Sequence, residues 1–297
     1  MGAPISIAGP TASGKSAVAM EVAKQLQAEI ISVDSMQVYR GLDIGTAKPS
    51  AACKAGIPHH LIDCVGLDET YDAARFVREA IEAERQIERP IFCGGTGLYF
   101  QVRLEGLGET PQADEALRSS IEAKSHEEQL AELKAADPVT FKRIDQQNPR
   151  RVVRALEVIR LTGKPFSEQR AEWQNKVPAN FFLIERERDD LRARIEARVD
   201  GMFAAGLVEE TCSLRAALED NRVAQQALGY RQVIGHLRGE QNLPDTVALV
   251  KSRTWQFARR QMTWFRRLQG AVSLRVPAEE APSETARRIL NHCRIDP

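Results

Sequence analysis

The chain has 297 residues and a formal net charge of zero, from 41 basic and 41 acidic residues, and 43% of its residues are hydrophobic. This length can bury a substantial core without disulfides or a structural metal, and the balanced charge argues against a protein that is basic throughout. No apolar run approaches the roughly 20 residues that span a bilayer, so we expect no contact with a membrane.

The amino-terminal sequence MGAPISIAGP has no basic segment followed by a long apolar stretch, which is the pattern of an export signal. The five cysteines are scattered singly, and this spacing favours reduced thiols over a disulfide framework or a zinc site. We therefore expect a cytoplasmic protein.

Short apolar runs alternate with helical patterns along the chain. The runs PISIA, EIISV, HHLID, RPIFCGG, FFLIE and AVSLRV predict strands, and segments such as SAVAMEVAKQL and AARFVREAIEAERQIE predict helices. This alternation predicts an α/β fold with a parallel sheet covered on both faces.

Residues 112–176 have almost no strand pattern but several helical ones, among them ADEALRSSIEAK, HEEQLAELKAAD and PRRVVRALEVIRLTG. We expect an inserted all-helical domain at 112–176. The core domain would then consist of 1–111 and 177–297.

Residues 9–16 read GPTASGKS and satisfy the phosphate-loop pattern G-x-x-x-x-G-K-[ST] between a predicted strand and a predicted helix. Backbone amides and the helix N-terminus would hold phosphate oxygens, Lys15 would add a full charge, and Ser16 would offer its hydroxyl to Mg²⁺. A chance loop is the alternative. The pattern fits a triphosphate and an isoprenoid diphosphate equally. The predicted loop residues are Gly9, Pro10, Thr11, Ala12, Ser13, Gly14, Lys15 and Ser16.

Two further segments follow predicted strands and would lie at the same edge of the sheet. Asp34 follows EIISV, where its carboxylate would serve as a general base or, equally, as the cap of a helical turn. GGTGLY at 94–99 follows PIFC, where glycines permit close backbone approach and Thr96 offers a hydroxyl. An ordinary tight turn is the alternative there.

Positive charge is concentrated along the chain. Residues 251–270 hold six basic residues, no acidic one and interleaved Trp and Phe, and residues 142–170 hold eight basic against three acidic ones. Between 103 and 137 the balance reverses, with four basic against nine acidic residues. Such segments can bind a polyanion on one face, although solvated helix faces have the same composition.

Seven segments occur in the order found in one enzyme family: GPTASGKS, DSMQVYRGLDIGTAKP, HHLID, GGTGLY, NPRRVVRALEV, GYRQ and RRQMTWFR. Over most of residues 5–267 the chain resembles the tRNA dimethylallyltransferases, or tRNA isopentenylpyrophosphate transferases. It lacks the carboxyl-terminal zinc-binding extension of eukaryotic relatives, which favours the bacterial type. The resemblance implies a phosphate-loop NTPase-like sheet core with an all-helical insertion.

The activity that the resemblance implies is transfer of a dimethylallyl group from dimethylallyl diphosphate to a tRNA. The acceptor would be the exocyclic amine of the adenosine 3′ to the anticodon, and diphosphate would be released. Mg²⁺ is the implied cofactor, the anticodon stem-loop is the implied macromolecular partner, and we expect a monomer.

The resemblance also implies roles for individual residues. Asp34 would be the base and Thr96 would orient the reacting centre. Arg194 would grip the diphosphate, with Arg198 one helical turn later, whereas Arg192 fits a solvated charge better. For Trp264 and Phe265, base stacking and core packing are equal alternatives. The residues implied for tRNA binding are Asp34, Ser35, Met36, Gln37, Thr96, Arg118, Gln147, Asn148, Pro149, Arg150, Arg151, Gln226, Ala227, Leu228, Gly229, Tyr230, Arg231, Arg259, Arg260, Gln261, Met262, Thr263, Trp264, Phe265 and Arg266.

Two other functions compete with this one. A nucleoside or small-molecule kinase would also use the phosphate loop, with Asp63 of HHLID as an acidic partner for magnesium. It has no use for GGTGLY or the basic aromatic segment. A phosphate-loop RNA-binding protein without catalysis would leave Asp34 and Thr96 without a task.

Overall fold

A computed structural model describes residues 4–108, 111–169 and 171–293. Residues 1–3, part of the amino terminus in which we sought an export signal, and Arg170 of the basic stretch lie outside the described residues. The chain forms two compact units, one made of 1–104 and 175–297 and the other of 105–174.

The first unit is built on a six-stranded sheet in the order β3-β2-β4-β1-β5-β6. All strand pairs are parallel. The strands are β1 (Ile5–Ala8), β2 (Glu29–Val33), β3 (His59–His60), β4 (Pro90–Gly94), β5 (Phe181–Glu185) and β6 (Val272–Arg275). The predicted α/β class with a parallel sheet is confirmed, and each of the six predicted runs contributes a strand.

Helices connect and cover these strands, and a separate group of them forms the second unit. They are α1 (Lys15–Leu26), α2 (Ala51–Gly56), α3 (Ala73–Gln86), α4 (Gly97–Glu105), α5 (Glu115–Glu122), α6 (His126–Ala136), α7 (Pro138–Arg143), α8 (Pro149–Thr162), α9 (Phe166–Gln169), α10 (Arg188–Ala204), α11 (Leu207–Asp220), α12 (Tyr230–Leu237), α13 (Leu243–Phe265) and α14 (Pro282–Cys293), with a 3₁₀ turn at Ala224–Gln226. In the described part of the chain, no helix is both long and apolar enough to cross a bilayer.

Successive strand residues point to opposite faces of the sheet, and helices bury both faces. Phe182, on one face, belongs to a core cluster with Val22 of α1 and Ile289 of α14. Phe181, on the other face, packs edge-to-face against Phe100 of α4, with ring centroids 5.1 Å apart. This double burial explains why FFLIE is apolar throughout instead of alternating with polar residues.

The second unit has a helical core of its own. Ile121 of α5, Leu133 of α6 and Leu156 of α8 are completely buried in one cluster. Helix α6 begins with a capping box, in which the Ser125 hydroxyl accepts from the Glu128 amide and the Glu128 carboxylate accepts from the Ser125 amide. Local capping and an apolar stripe therefore specify these helices from the sequence.

Strand β3 is shorter than the HHLID run predicts, since only His59 and His60 pair with β2. Leu61 and Asp63 both have φ +58°, a left-handed conformation that ends the strand. Asp63 is held there by ion pairs with Lys48 at 2.6 Å and Lys54 at 3.1 Å. The strand therefore ends at His60, and Asp63 pairs with lysines from outside the run.

Gly94 is the last residue of β4, and its backbone lies in close contact with β2. A Cβ atom at this position would lie 2.0 Å from the Val33 carbonyl oxygen. We expect Gly94→Ala to destabilise the protein by about 3 kcal/mol or more, because a backbone atom must move to make room. That cost corresponds to a fall in Tm of roughly 6–12 °C in a thermal unfolding measurement.

The matched control is Gly201→Ala in α10, where a Cβ atom would meet no atom within 4 Å. This change should leave Tm the same or raise it slightly, since alanine favours helix more than glycine does. A Gly94→Ala variant as stable as Gly201→Ala would contradict the packing described here.

Candidate functional site

Three polar segments meet at one edge of the sheet, because β2, β4 and β1 are neighbours with their carboxyl ends at the same side. The segments are residues 9–16 after β1, 34–37 after β2, and 94–96 where β4 ends. They line a cavity of about 830 Å³. Their contributions to its lining are Thr11, Lys15, Ser16, Asp34, Ser35, Met36, Gln37, Gly94 and Thr96.

The phosphate loop turns tightly between β1 and α1. Ala12 and Gly14 have φ +63° and +93°, and the Ser13 amide donates to the Pro10 carbonyl at 3.2 Å. Lys15 donates its ammonium proton to the same carbonyl at 3.2 Å, which folds the side chain over the loop. Among the described residues, no side chain caps the N-terminus of α1 at Gly14. Its first amides therefore remain available to an anion.

Two arginines hold the loop from outside through its carbonyl groups. Arg186 donates to the Ser13 carbonyl at 2.7 Å, and Arg194 donates to the Ala12 carbonyl at 2.9 Å. Burial lowers the pKa of Arg194, Arg186 lowers it further, and Asp190 opposes the change. The resemblance implies that Arg194 binds the diphosphate. In the structure, Arg194 contacts the backbone of the loop that would bind the diphosphate.

Arg198, one turn further along α10, lines the cavity. Burial lowers its pKa, while the Asp34 carboxylate opposes this change. Burial also lowers the pKa of Lys15, with Cys93 and Asp34 opposing and Arg198 adding to the effect. Two partly desolvated cations that repel each other make a site that a bound anion would stabilise.

The Asp34 carboxylate caps a turn with one oxygen, and its predicted role as a base stays a prediction. Its Oδ1 accepts from the amides of Met36 at 2.9 Å and Gln37 at 3.3 Å, which caps the turn after β2. Within the described part of the chain, its Oδ2 makes no hydrogen bond. One oxygen thus fixes the carboxylate while the other is left to accept a proton in the cavity.

Thr96 is tied to the same turn. Its amide donates to the Val33 carbonyl at 3.1 Å, and its Oγ1 accepts from the Ser35 amide at 3.1 Å. Since Oγ1 serves there as an acceptor, its proton is left to be donated to a ligand. Asp34 and Thr96, which are 62 positions apart in the sequence, are therefore held in one hydrogen-bonded unit.

Gln37 lies at the cavity with its amide engaged by the protein. Its Oε1 accepts from the Ser32 hydroxyl at 3.0 Å, and its Nε2 donates to the Thr46 carbonyl at 3.1 Å. These bonds fix the loop that follows the Asp34 turn. A contact between Gln37 and a base edge would compete with them.

Most of the remaining wall of the cavity comes from α10, α12, α13 and the segments on either side of α12. Predicted residues 226–228 and 231 belong to it, as do Arg260 and Gln261. Most of the others are not among the predicted residues, although on α13 they recur at helical spacing. The lining residues of this wall are Arg198, Val199, Met202, Gln226, Ala227, Leu228, Arg231, Gln232, Gly235, Glu240, Gln241, Leu249, Val250, Arg253, Thr254, Gln256, Phe257, Arg260 and Gln261.

Two large aromatic side chains that were predicted to bind tRNA, those of Tyr230 and Phe265, are inside the protein. Tyr230 is completely buried, donates to Glu210 at 2.5 Å and accepts from the Gly45 amide at 3.1 Å. Phe265 is 1% exposed and packs against Phe100 with ring centroids 6.2 Å apart. These two side chains would therefore affect RNA binding only by holding other residues in place.

The other members of 259–266 divide between surface and interior. Arg259, Thr263 and Arg266 are exposed, and Arg260 is exposed beside the cavity. Met262 packs against the cluster that contains Ala12, and Trp264 lies so close to Gly97 that a Cβ atom there would be 2.3 Å from its ring.

The predicted tRNA-binding residues of the second unit lie at two places within it. Gln147, Pro149, Arg150 and Arg151 are exposed around the start of α8, with Asn148 as its N-cap. Arg118 of α5 lies with its Nε 2.9 Å from Glu157, a completely buried carboxylate of α8.

Asp63, which the kinase hypothesis offers as a partner for magnesium, already pairs with two lysines. Burial would raise its pKa, but hydrogen bonds from Lys48 and Lys54 lower it overall. The described residues contain no group of three or more His, Cys, Asp or Glu side chains that would hold a metal ion.

The fold and the cavity together define a phosphate-loop protein in which Asp34 and Thr96 line the same cavity as the loop. The IPP transferase family model matches residues 37–268. The tRNA dimethylallyltransferase 1 of Trichlorobacter lovleyi is 44% identical over 88% of this chain and 89% of its own length. The tRNA dimethylallyltransferase of Geobacter metallireducens is 42% identical over 93% of each chain.

Solved structures agree with these matches. A full-length tRNA isopentenylpyrophosphate transferase from Bacillus halodurans superposes with a TM-score of 0.71 and 34% identity, over 99% of this chain and 97% of that one. A eukaryotic dimethylallyltransferase acting on tRNA gives a TM-score of 0.78 and 26% identity, over 98% of this chain and 78% of that one. The chain belongs to the IPP transferase family.

Replacing Arg198 by Met removes a cation from the cavity. We expect the Kd for inorganic diphosphate, measured by calorimetry, to rise at least about tenfold, because a hydrogen bond to a charged group contributes about 1.5–3 kcal/mol. Arg192→Met is the control on the same helix, since Arg192 is exposed and pairs with Glu196 at 3.1 Å. Equal effects of the two changes would contradict a specific role for Arg198.

Proposed function

We propose that this protein transfers the dimethylallyl group of dimethylallyl diphosphate to the exocyclic amine of the adenosine 3′ to the anticodon in tRNA. The observation that carries the proposal is the phosphate loop beside Asp34 and Thr96 in one cavity. Its relatives named tRNA dimethylallyltransferase cover nearly the whole chain, which supports the same activity here.

The donor would bind with its diphosphate on the amides at the start of α1. Lys15 and Arg198 face that position, and their charge would stabilise the negative charge that grows on the departing diphosphate. Arg186 and Arg194 support this loop from outside through the Ser13 and Ala12 carbonyls. Apolar side chains of the cavity wall, such as that of Val199, suit the allyl group.

Mg²⁺ fits this site as a cofactor held largely by the substrate. Ser16 lines the cavity at the start of α1, and an ion of this kind usually keeps several waters and binds substrate phosphates with few protein ligands. Bound there, Mg²⁺ would neutralise charge on the leaving diphosphate.

The acceptor amine is a weak nucleophile because its lone pair is delocalised into the adenine ring. In the proposed reaction its nitrogen forms a bond to the allylic carbon, and the bond from that carbon to the diphosphate oxygen breaks. The leaving diphosphate keeps the electron pair. Oδ2 of Asp34 takes the amine proton, and the Thr96 hydroxyl orients the reacting centre.

The adenosine must leave the anticodon-loop stack to reach Asp34. Arg231, Arg253 and Arg260 line the cavity. They would contact the RNA phosphates on either side of the adenosine. Arg118 and residues 147–151 are proposed further contacts of the second unit. A monomer would suffice, since all cavity residues named above come from one chain.

Asp34→Asn should abolish transfer of radiolabelled dimethylallyl groups to tRNA while leaving tRNA binding nearly intact. The asparagine keeps the cap on the Met36 and Gln37 amides but cannot accept the proton, so we expect kcat to fall by about 10²–10⁴. Rapid-quench measurement of labelled tRNA would test this. Asp189→Asn, at an exposed position of α10, is the control.

Wild-type protein that moves no label into tRNA, but consumes ATP with a small acceptor, would overturn the proposed function in favour of a kinase. Full labelling of tRNA by the Asp34→Asn variant would support the transferase activity but contradict the role of Asp34 as the base.

Arg260→Ala should weaken tRNA binding and reduce its salt dependence. Each phosphate contact releases condensed counterions, so loss of one contact should lower the slope of log Kd against log salt by about one. Filter binding at several salt concentrations would measure it. Arg85→Ala, which changes an exposed residue of α3, should leave the slope unchanged; an unchanged slope for Arg260→Ala as well would place Arg260 outside the RNA surface.

A further inference from the structure

Gln261 bridges two of the three segments that form the reaction site. The Thr11 amide of the phosphate loop donates to its Oε1 at 2.9 Å, and its Nε2 donates to the Gly95 carbonyl at 2.8 Å. The partners lie 250 and 166 residues away in the sequence. A single side chain from α13 therefore joins the ends of β1 and β4.

Only an amide of this length satisfies both partners. The Thr11 side of the bridge needs an acceptor and the Gly95 side needs a donor, which fixes the orientation of the Gln261 amide. Glutamate has the same shape but presents an acceptor to the Gly95 carbonyl. Methionine is of similar size and leaves both buried backbone groups without a partner.

The bridge is tight because both loops have glycine at the contact. A Cβ atom on Gly95 would lie 2.4 Å from Gln261 Nε2 and 3.3 Å from the Gly9 carbonyl oxygen. A shift of Gln261 towards Gly95 would therefore displace the backbone there, since interiors are closely packed.

Each joined segment has a different chemical task. Thr11 belongs to the loop that would hold the diphosphate. Gly95 directly precedes Thr96, whose Oγ1 bonds the Ser35 amide next to Asp34. Hydrogen bonds, together with the peptide links from Gly95 to Thr96 and from Asp34 to Ser35, therefore connect the phosphate loop to Asp34 through Gln261.

We propose that Gln261 is a positioning residue that sets the spacing between the diphosphate-binding loop and the Thr96–Asp34 pair. The proposal rests on the transferase function proposed above. Gln261 is 8% exposed, so it acts inside the protein, and Arg260, the exposed neighbour, remains to contact RNA. A displacement of about 1 Å between reacting groups can cost about a hundredfold in rate, which makes such a spacer significant.

The test compares Gln261→Met and Gln261→Glu with the wild-type protein at a temperature well below the Tm of each. Turnover with saturating dimethylallyl diphosphate and tRNA gives kcat, filter binding gives the Kd of tRNA, and calorimetry gives the Kd of inorganic diphosphate. We expect kcat to fall at least about tenfold in both variants. The Kd of tRNA should change less than about threefold, and Gln261→Met should weaken diphosphate binding.

Gln129→Met is the matched control. Gln129 is 4% exposed in the second unit and donates to the carbonyls of Ile121 at 3.0 Å and Lys124 at 3.1 Å. Its loss should lower Tm as much as the loss of Gln261 but leave kcat and diphosphate binding unchanged. A loss of kcat in Gln261→Met no greater than in Gln129→Met would overturn the positioning role.

Diphosphate binding separates this proposal from the proposed function. Weaker diphosphate binding by Gln261→Met, in a protein whose wild type moves no label into tRNA, would support the bridge and overturn the transferase. Normal kcat and normal diphosphate binding of Gln261→Met, beside an active wild type, would overturn the bridge alone.

Discussion

Backbone contact between the ends of neighbouring strands is the constraint on which the site depends. The Val33 carbonyl accepts from the Thr96 amide at 3.1 Å, and it comes this close only because Gly94 has no Cβ atom. Gly95 approaches the Gly9 carbonyl oxygen in the same way. Chemistry that needs an anion site and a base a few ångströms apart requires these contacts, since larger residues would separate β2, β4 and β1.

The parallel sheet and the phosphate loop could be predicted from the sequence because both are specified locally. Buried parallel strands are apolar throughout, and the phosphate loop has fixed residue types between a strand and a helix. The extent of β3 could not be predicted, because Leu61 and Asp63 adopt a left-handed conformation within the HHLID run. Neither residue type favours this conformation strongly enough for the run itself to show where the strand ends.

The resemblance names Arg194 for the diphosphate, but Arg198 is one turn later on the same helix face. In the structure Arg194 contacts the Ala12 carbonyl and Arg198 lines the cavity, a difference that depends on packing between α10 and the loop. Gln261 is a different case. The buried positions Thr254, Ala258, Gln261 and Phe265 recur at helical spacing along α13, so periodicity alone would have placed Gln261 in the interior. Composition drew attention to the arginines around it instead.

Balanced overall charge and a cationic cavity are compatible because most acidic residues lie outside the cavity. Its lining has five lysines and arginines against two acidic residues, Asp34 and Glu240. Burial lowers the pKa of both Lys15 and Arg198. Holding two desolvated cations that repel each other therefore lowers the free energy of unfolding. The Asp34 carboxylate offsets part of that repulsion. In the proposed reaction, a bound diphosphate would relieve the rest of the repulsion, and the repulsion would return as the product leaves. The proposed substrate suits this arrangement, since an allyl diphosphate carries its negative charge at one end and none at the other.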